Sequence, residues 1–213
     1  MQNIDIIIIS YAKTSVQRAL TENCIKTLND NQHNYTVYVM EQMKDIKYAN
    51  AVTINYEFDF NYNKCVNYCV ENFCTSDYIC FCNNDLVFMS GWATEILKYV
   101  PSQFLSASPR CDIYHKDAQE NIVGTKIATI IAGWCIFCHR SLFDKIGRID
   151  DRVSFWYSDN VYGKQLEAVG LEHILVHKSE VTHLGSQTLR DISRFKRWMM
   201  TKRQLKIFDK LNY

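Results

Sequence analysis

The chain has 213 residues, 47% hydrophobic and 22% charged, with 7 Gly and 2 Pro, which suits one globular domain with a sizeable core and excludes a disordered or low-complexity chain. A formal net charge of +1 excludes nucleic-acid binding through overall charge. The charge is uneven, however: from Leu189 to Tyr213, eight Lys and Arg stand against Asp191 and Asp209, a net +6 that leaves −5 on the remainder.

In chain order, Ile4–Ser10 is a near-continuous β-branched run, the pattern of a buried parallel strand, and it feeds a helical stretch from Ser15 to Asn29. Tyr35–Met40 alternates as a second strand ending at Glu41, and Ala51–Tyr56 is a weaker third. Asn61–Phe73 sets Cys65, Val66, Cys69 and Val70 at helical spacing, and Asp77–Cys82 is a fourth strand running into Asn83, Asn84 and Asp85. Trp92–Val100 reads as a helix, Phe104–Ser108 as a short strand and Arg110–Lys126 as a polar excursion. Ile127–Cys138 is a long apolar strand-like run interrupted at Gly133. Helices follow at Arg140–Ile146 and Asn160–Val169, with a last strand at His173–His177. Strands alternating with helices predict an α/β domain around a mostly parallel sheet.

No apolar run reaches the roughly 20 residues needed to cross a bilayer. Nine cysteines, an odd number without a secretion-type leader, are expected to be reduced thiols in a cytoplasmic protein. Cys135 and Cys138 form a C-x-x-C without a second pair at zinc spacing, so buried thiols are expected there. The same reading covers Cys80 and Cys82, which share a strand face. His173 and His177 are expected to be structural residues at the strand's ends.

Ligands of open parallel sheets bind beyond the carboxyl ends of the strands. That directs attention to Ser10 and Tyr11, to Glu41, to Asn83, Asn84 and Asp85, and to Gly133 and Trp134. Asp85 has the chemistry to hold a hard divalent cation while diphosphate oxygens complete its shell, but a turn or helix-cap residue would read the same way. Asp159, after the aromatic run Phe155, Trp156 and Tyr157, and His183, after the last strand, would add a second carboxylate and an imidazole at the same edge.

The segments IDIIIISY, FNYNKCVNYCVEN, DYICFCNNDLVFMSGW, GWCIFCHRSLFDKIGRID, WYSDNVYGKQLEAVG and VTHLGS together resemble glycosyltransferase family 2, across roughly residues 4–187. The resemblance implies a single GT-A, Rossmann-like domain over residues 1–188, with 189–213 as a basic C-terminal helix. It implies an inverting transferase using a UDP-sugar donor with Mn²⁺ or Mg²⁺. Ser10, Tyr11 and Glu41 would line the base and ribose, with Asn61 and Lys64 beside the nucleotide. Asn83, Asn84 and Asp85 take the family's Asp-x-Asp position, with Asp85 as metal ligand and His183 completing the metal site. Gly133 and Trp134 would flank the donor sugar, Asp159 would be the catalytic base, and Trp156 and Tyr157 would meet the acceptor. Asn83 departs from the family pattern, since an amide brings no charge where an acid usually stands.

The tail reads as a basic amphipathic helix with Ile192, Phe195 and Met199 on one stripe. It would be a solvated helix packed on the domain, a DNA contact or an anionic membrane contact. The chain is also similar to small family 2 enzymes of tailed phages, which implies hydroxymethylated cytosine in DNA as acceptor, in a host cytoplasm. A lipid-linked or surface glycan is the other acceptor, and an inactive nucleotide-sugar-binding module the other class.

Overall fold

The computed structural model describes residues 1–28, 31–185 and 193–213. Its first half is a parallel sheet of β1 (Asn3–Ser10), β2 (Asn34–Glu41), β3 (Val52–Asn55) and β4 (Tyr78–Asn83), in the order β3-β2-β1-β4. The central β1 is buried on both faces, as its unbroken β-branched run requires. Ile4, Ile6 and Ile8 pack on the side of α1 (Ser15–Thr27), whereas Ile7 and Ile9 pack on the side of α2 (Tyr62–Asn72), against Cys65, Val66 and Cys69. Both helices start at side-chain caps. Thr14 and Gln17 form a reciprocal capping box on α1, and Asn61 accepts from the Lys64 amide at 3.0 Å to cap α2.

The turn into β4 is fixed from below. Asp5, buried in β1, accepts from the amides of Thr75 and Ser76, both at 2.7 Å, which sets where β4 begins and hence where it delivers Asn83 and Asp85.

The second half is mixed. It comprises β5 (Leu86–Phe88), α3 (Trp92–Leu97), β6 (Ser106–Cys111), β7 (Ile122–Gly124), β8 (Cys135–His139), α4 (Ser141–Ile146), α5 (Ser158–Ala168), β9 (His173–His183) and α6 (Arg194–Phe208). Strand β8 runs antiparallel to β4 and β6, β9 runs parallel to β6, and β5 and β7 run antiparallel to β9. All nine cysteines are buried and unbridged. No described helix is long and apolar enough to cross a membrane.

Four expectations change here. The run Ile127–Cys138 is not one strand: residues 127–134 form turns, with Ala128 at φ 63° and the amides of Ile130 and Ile131 both on the Lys126 carbonyl, and only Cys135–His139 is extended. An apolar run has the same composition whether it buries as a strand or as a packed loop. The strand expected at His173–His177 continues to His183, so that histidine ends β9 instead of following it. The polar excursion contains β7, and β5 follows Asp85 directly. In α6, Phe195 and Met199 are 72% and 50% exposed, and the packed face is instead Gln204, Ile207 and Phe208, continued by Leu211. Ile192, Arg190, Asp191, Asn29 and the expected boundary at 188/189 lie outside the described residues.

One interior group makes stability depend on pH. His173 is fully buried, with its ring nitrogens 2.7 Å from Ser106 Oγ and 2.9 Å from Ser108 Oγ, and burial pushes its imidazole down to about 3. The unfolded chain takes up a proton near pH 6.5, and the native state does not until about pH 3. This group's contribution is therefore intact above pH 6.5 and erodes as pH falls through that window, by up to about 1.4 kcal/mol per pH unit. Urea midpoints should drop between pH 7.5 and pH 5 more steeply for the native chain than for His173→Gln; equal slopes would remove His173 as the cause.

Candidate active site

The carboxyl ends of β1 and β2 meet in a buried polar cluster. Ser10 Oγ lies 3.0 Å from Thr21 Oγ1 and 3.3 Å from Tyr48 OH, which donates to Glu41 Oε2 at 2.8 Å. Glu41 Oε1 accepts from the Ala12 and Met43 amides, and Asn84 Nδ2 donates to Thr21 Oγ1 at 2.9 Å. Ser10, Glu41 and Asn84 are buried, and these bonds run within the protein, so all three set the loop after β1. Tyr11 is the partly exposed residue of that loop: its ring stacks on Phe60 at 6.4 Å with Lys13 Nζ 4.0 Å above it. Asn61 binds the Asp151 carbonyl and caps α2, and the exposed Lys64 lies over the Phe58 ring at 4.6 Å.

A cavity of about 310 Å³ opens beside this cluster. Asn83, Gly133, Trp134 and His183 line one part of its wall, and Trp156, Tyr157 and Asp159 another. Seven residues singled out from sequence thus converge on one space. Tyr62, Tyr114, Phe155 and Ser158 join them without having been anticipated. Only Phe155 carried a signal, as part of the aromatic run; Tyr114 lies in a polar stretch with no periodicity.

Close approach defines the carboxylate's place. A Cβ on Gly133 would stand 2.7 Å from Asp159 Cβ, so only glycine admits Asp159 at this depth. The Gly133–Trp134 segment is held in turn by Asn83 N donating to the Trp134 carbonyl at 2.9 Å. Asp159 sits in the first turn of α5, preceded by Tyr157 in the left-handed region at φ 68°, a strained conformation for a non-glycine residue of the kind that gathers at functional sites. Burial raises the Asp159 carboxyl above its ordinary value, offset only in part by the Asn160 amide donating to Oδ1 at 2.9 Å. The same wall carries an unpaired donor: the indole N–H of Trp156 is buried and has no partner among the described residues.

Asp85 and His183 meet at the cavity's edge. Register places His183 opposite Leu86, and Asp85 Oδ1 lies 3.2 Å from His183 Nε2. The contact lacks hydrogen-bond alignment, so this oxygen and both imidazole nitrogens are buried without hydrogen-bond partners. Trp134 and Tyr114 flank the imidazole, each with centroids at 5.4 Å. Among the described residues no group of three His, Cys, Asp or Glu could hold a metal ion. Orphaned carboxylate and imidazole atoms nevertheless fit a divalent cation whose remaining ligands come from a diphosphate and water.

No protein-family model matches the sequence, and no curated protein sequence matches it. Solved structures do share the fold. GalNAc-T7, solved with UDP, GalNAc and Mn²⁺, superimposes with a TM-score of 0.65 at 8% identity, over 98% of this chain and 48% of its own. The mannosyltransferase PcManGT of Pyrobaculum calidifontis, with GDP-Man and Mn²⁺, gives 0.65 at 11% identity, over 97% of this chain and 63% of its own. A mutant Drosophila β1,4-galactosyltransferase 7, with manganese, UDP-Gal and xylobiose, gives 0.56 at 13% identity, over 95% and 80%. The chain thus has the GT-A glycosyltransferase fold, and it spans about half of the first of these proteins and under two thirds of the second.

Gly133→Ala should force Asp159 and its loop apart at a cost of about 1–3 kcal/mol, read as a lower urea midpoint in a chain that still folds. An unchanged midpoint would mean that the loop yields freely and does not fix the carboxylate.

Proposed function

We propose that this chain is an inverting glycosyltransferase that moves a sugar, hexose or pentose, from a UDP-sugar to an acceptor hydroxyl. The observation that carries the reading is one cavity, in a GT-A fold, lined both by a buried carboxylate made more basic by its surroundings, Asp159, and by His183, whose orphaned imidazole lies 3.2 Å from the orphaned Asp85 oxygen. Nucleotides or nucleotide sugars and Mn²⁺ in the neighbouring structures support it.

Asp159 takes the proton from the acceptor hydroxyl as that oxygen attacks the anomeric carbon. A carbon–oxygen bond forms on one face of the sugar while the bond to the diphosphate oxygen breaks on the other, and the electron pair leaves with UDP. Configuration at carbon inverts. Asp85 and His183 would hold Mn²⁺ or Mg²⁺, which when bound neutralises charge on the departing diphosphate. Asn83 adds an amide without charge beside them. Tyr11 stacks on the base, with Ser10, Glu41 and Asn84 holding its loop, and Lys64 sits beside the nucleotide on the helix that Asn61 caps. Gly133 and Trp134 border the sugar, Trp156 offers its unpaired N–H, and Tyr157 borders the acceptor.

Two acceptor classes follow from the sequence: hydroxymethylated cytosine in DNA, and a lipid-linked or surface glycan. The outward face of α6 exposes Phe195, Trp198 and Met199 among its cations, apolar surface that suits a lipid-borne acceptor and favours the second. A nucleotide-sugar-binding module without turnover is the remaining reading, favoured by Asn83 standing where the family has an acid.

UDP release should be measured across UDP-sugars with Mn²⁺, with and without each acceptor class. Asp159→Asn should retain the fold and UDP binding and lose about 10²–10⁴-fold in turnover; near-normal turnover would remove Asp159 from the base role, and no release by the native chain would leave the binding module. Separately, Mn²⁺ should tighten UDP binding to the native chain and not to Asp85→Asn or His183→Ala. Equal tightening in the variants would place the cation elsewhere.

A further inference from the structure

The described part of the tail carries more apolar surface than a solvated helix needs. Along α6, Phe195 is 72%, Trp198 49% and Met199 50% exposed, and Leu205, two turns after Trp198, is 37% exposed. At 3.6 residues per turn these share one side with Lys202 and Lys206, opposite the packed face of Gln204, Ile207 and Phe208. Phe195 and Trp198 stack at 5.9 Å, and Lys202 Nζ lies 4.1 Å over the Trp198 ring. Arg194 flanks this face on one side, Lys196 and Arg203 on the other, and residues 194–208 contain no acidic residue.

We propose that this face of α6 docks on an anionic lipid surface, with Phe195, Trp198 and Met199 entering the headgroup boundary and the flanking cations meeting the phosphates. The charge pattern selects this occupant. Helices that lie in a membrane interface carry Trp, Phe and Leu on one face with Lys and Arg around it, and the two contributions reinforce each other on anionic lipid. A duplex backbone is met by cations on its phosphates and offers Phe195, Trp198 and Met199 no apolar layer to enter. Here Phe195, Trp198 and Met199 share the exposed face with Lys202 and Lys206.

Docking would also orient the cavity. Helix α6 attaches where the cavity's aromatic wall begins: Phe208 stacks on Tyr157 at 5.3 Å and 15°, and Gln204 Oε1 accepts from the Ser154 amide. An acceptor carried on a lipid would reach Trp156 and Tyr157 from around α6, because the face that meets Tyr157 is opposite the docking face. That extension to the acceptor rests on the transferase reading, whereas the docking itself does not.

The test is co-sedimentation of the full chain with vesicles of phosphatidylcholine alone or mixed with phosphatidylglycerol. Binding is expected to the mixed vesicles, to weaken with added salt, and to fall about tenfold or more in the Phe195→Ser/Trp198→Ser double variant. UDP release in vesicle-free buffer, unchanged by that exposed double variant, reports the transferase reading independently. No binding to mixed vesicles, or equal binding by native and variant chains, overturns the proposal. So does retention of the native chain by duplex DNA with no vesicle binding.

Discussion

The site depends on a short antiparallel pairing between β5 and the end of β9, in which Leu86 faces His183, Val87 faces Thr182 and Phe88 faces Val181. The ladder is closed beyond His183 by the Leu184 amide, which donates to the Asp85 carbonyl at 3.0 Å. Because Asp85 immediately precedes β5, this register sets a carboxylate beside an imidazole from a segment nearly a hundred residues away in sequence. A slip by one residue would turn His183 to the opposite face. Leu86, Phe88 and Val181 are buried in the same core cluster as Trp92, so hydrophobic packing pins a register that three residue pairs of hydrogen bonding alone would leave marginal.

Asp159 meets a second constraint, of volume instead of register. The carboxylate gains basicity only through loss of water, and loss of water here means lying against the backbone of Gly133. The same glycine belongs to a segment bonded to β4 through Asn83, and Asn83 stands two residues before Asp85. The Asp85–His183 edge and the carboxylate therefore share one strand end as their reference, and a displacement of β4 would move both. Asp5, beneath the start of that strand, is the buried polar anchor that resists it.

Much of this was legible in sequence where a pattern has a period. The β-branched run of β1, the alternation in β2 and the helical spacing of Cys65, Val66, Cys69 and Val70 fixed the parallel half and pointed to the strand ends. What failed had no period to read. Strand β5 is three residues long, and the second half of β9, KSEVTH, is too polar to announce a strand until its partners are known. Sequence also brought Ser10, Glu41 and Asn84 to the carboxyl ends of the strands but could not tell which way their side chains turn; buried partners such as Thr21 and Tyr48, distant in sequence, decide that. The tail shows the same limit. Its apolar residues occupy both faces, so periodicity could not tell which one packs, and the domain took the face ending in Phe208.

That choice couples the tail to the chemistry. Helix α6 is held by Phe208 on Tyr157, Gln204 on Ser154, and Tyr213, whose hydroxyl donates to Asp150 at 2.9 Å. All three contacts fall between Asp150 and Tyr157, the segment that enters α5 and positions Asp159 two residues later. Tyr157 adopts a conformation costing on the order of 1 kcal/mol, and the stacked Phe208 ring is among the contacts that keep it there. A force or ligand acting on the outward face of α6 would thus be felt first at the strained residue beside the carboxylate. The Asp85–His183 edge, fixed through β4, β5 and β9, would be affected less. Both halves of the site thus take their reference from β4, and the half that carries Asp159 is tied in addition to the last helix.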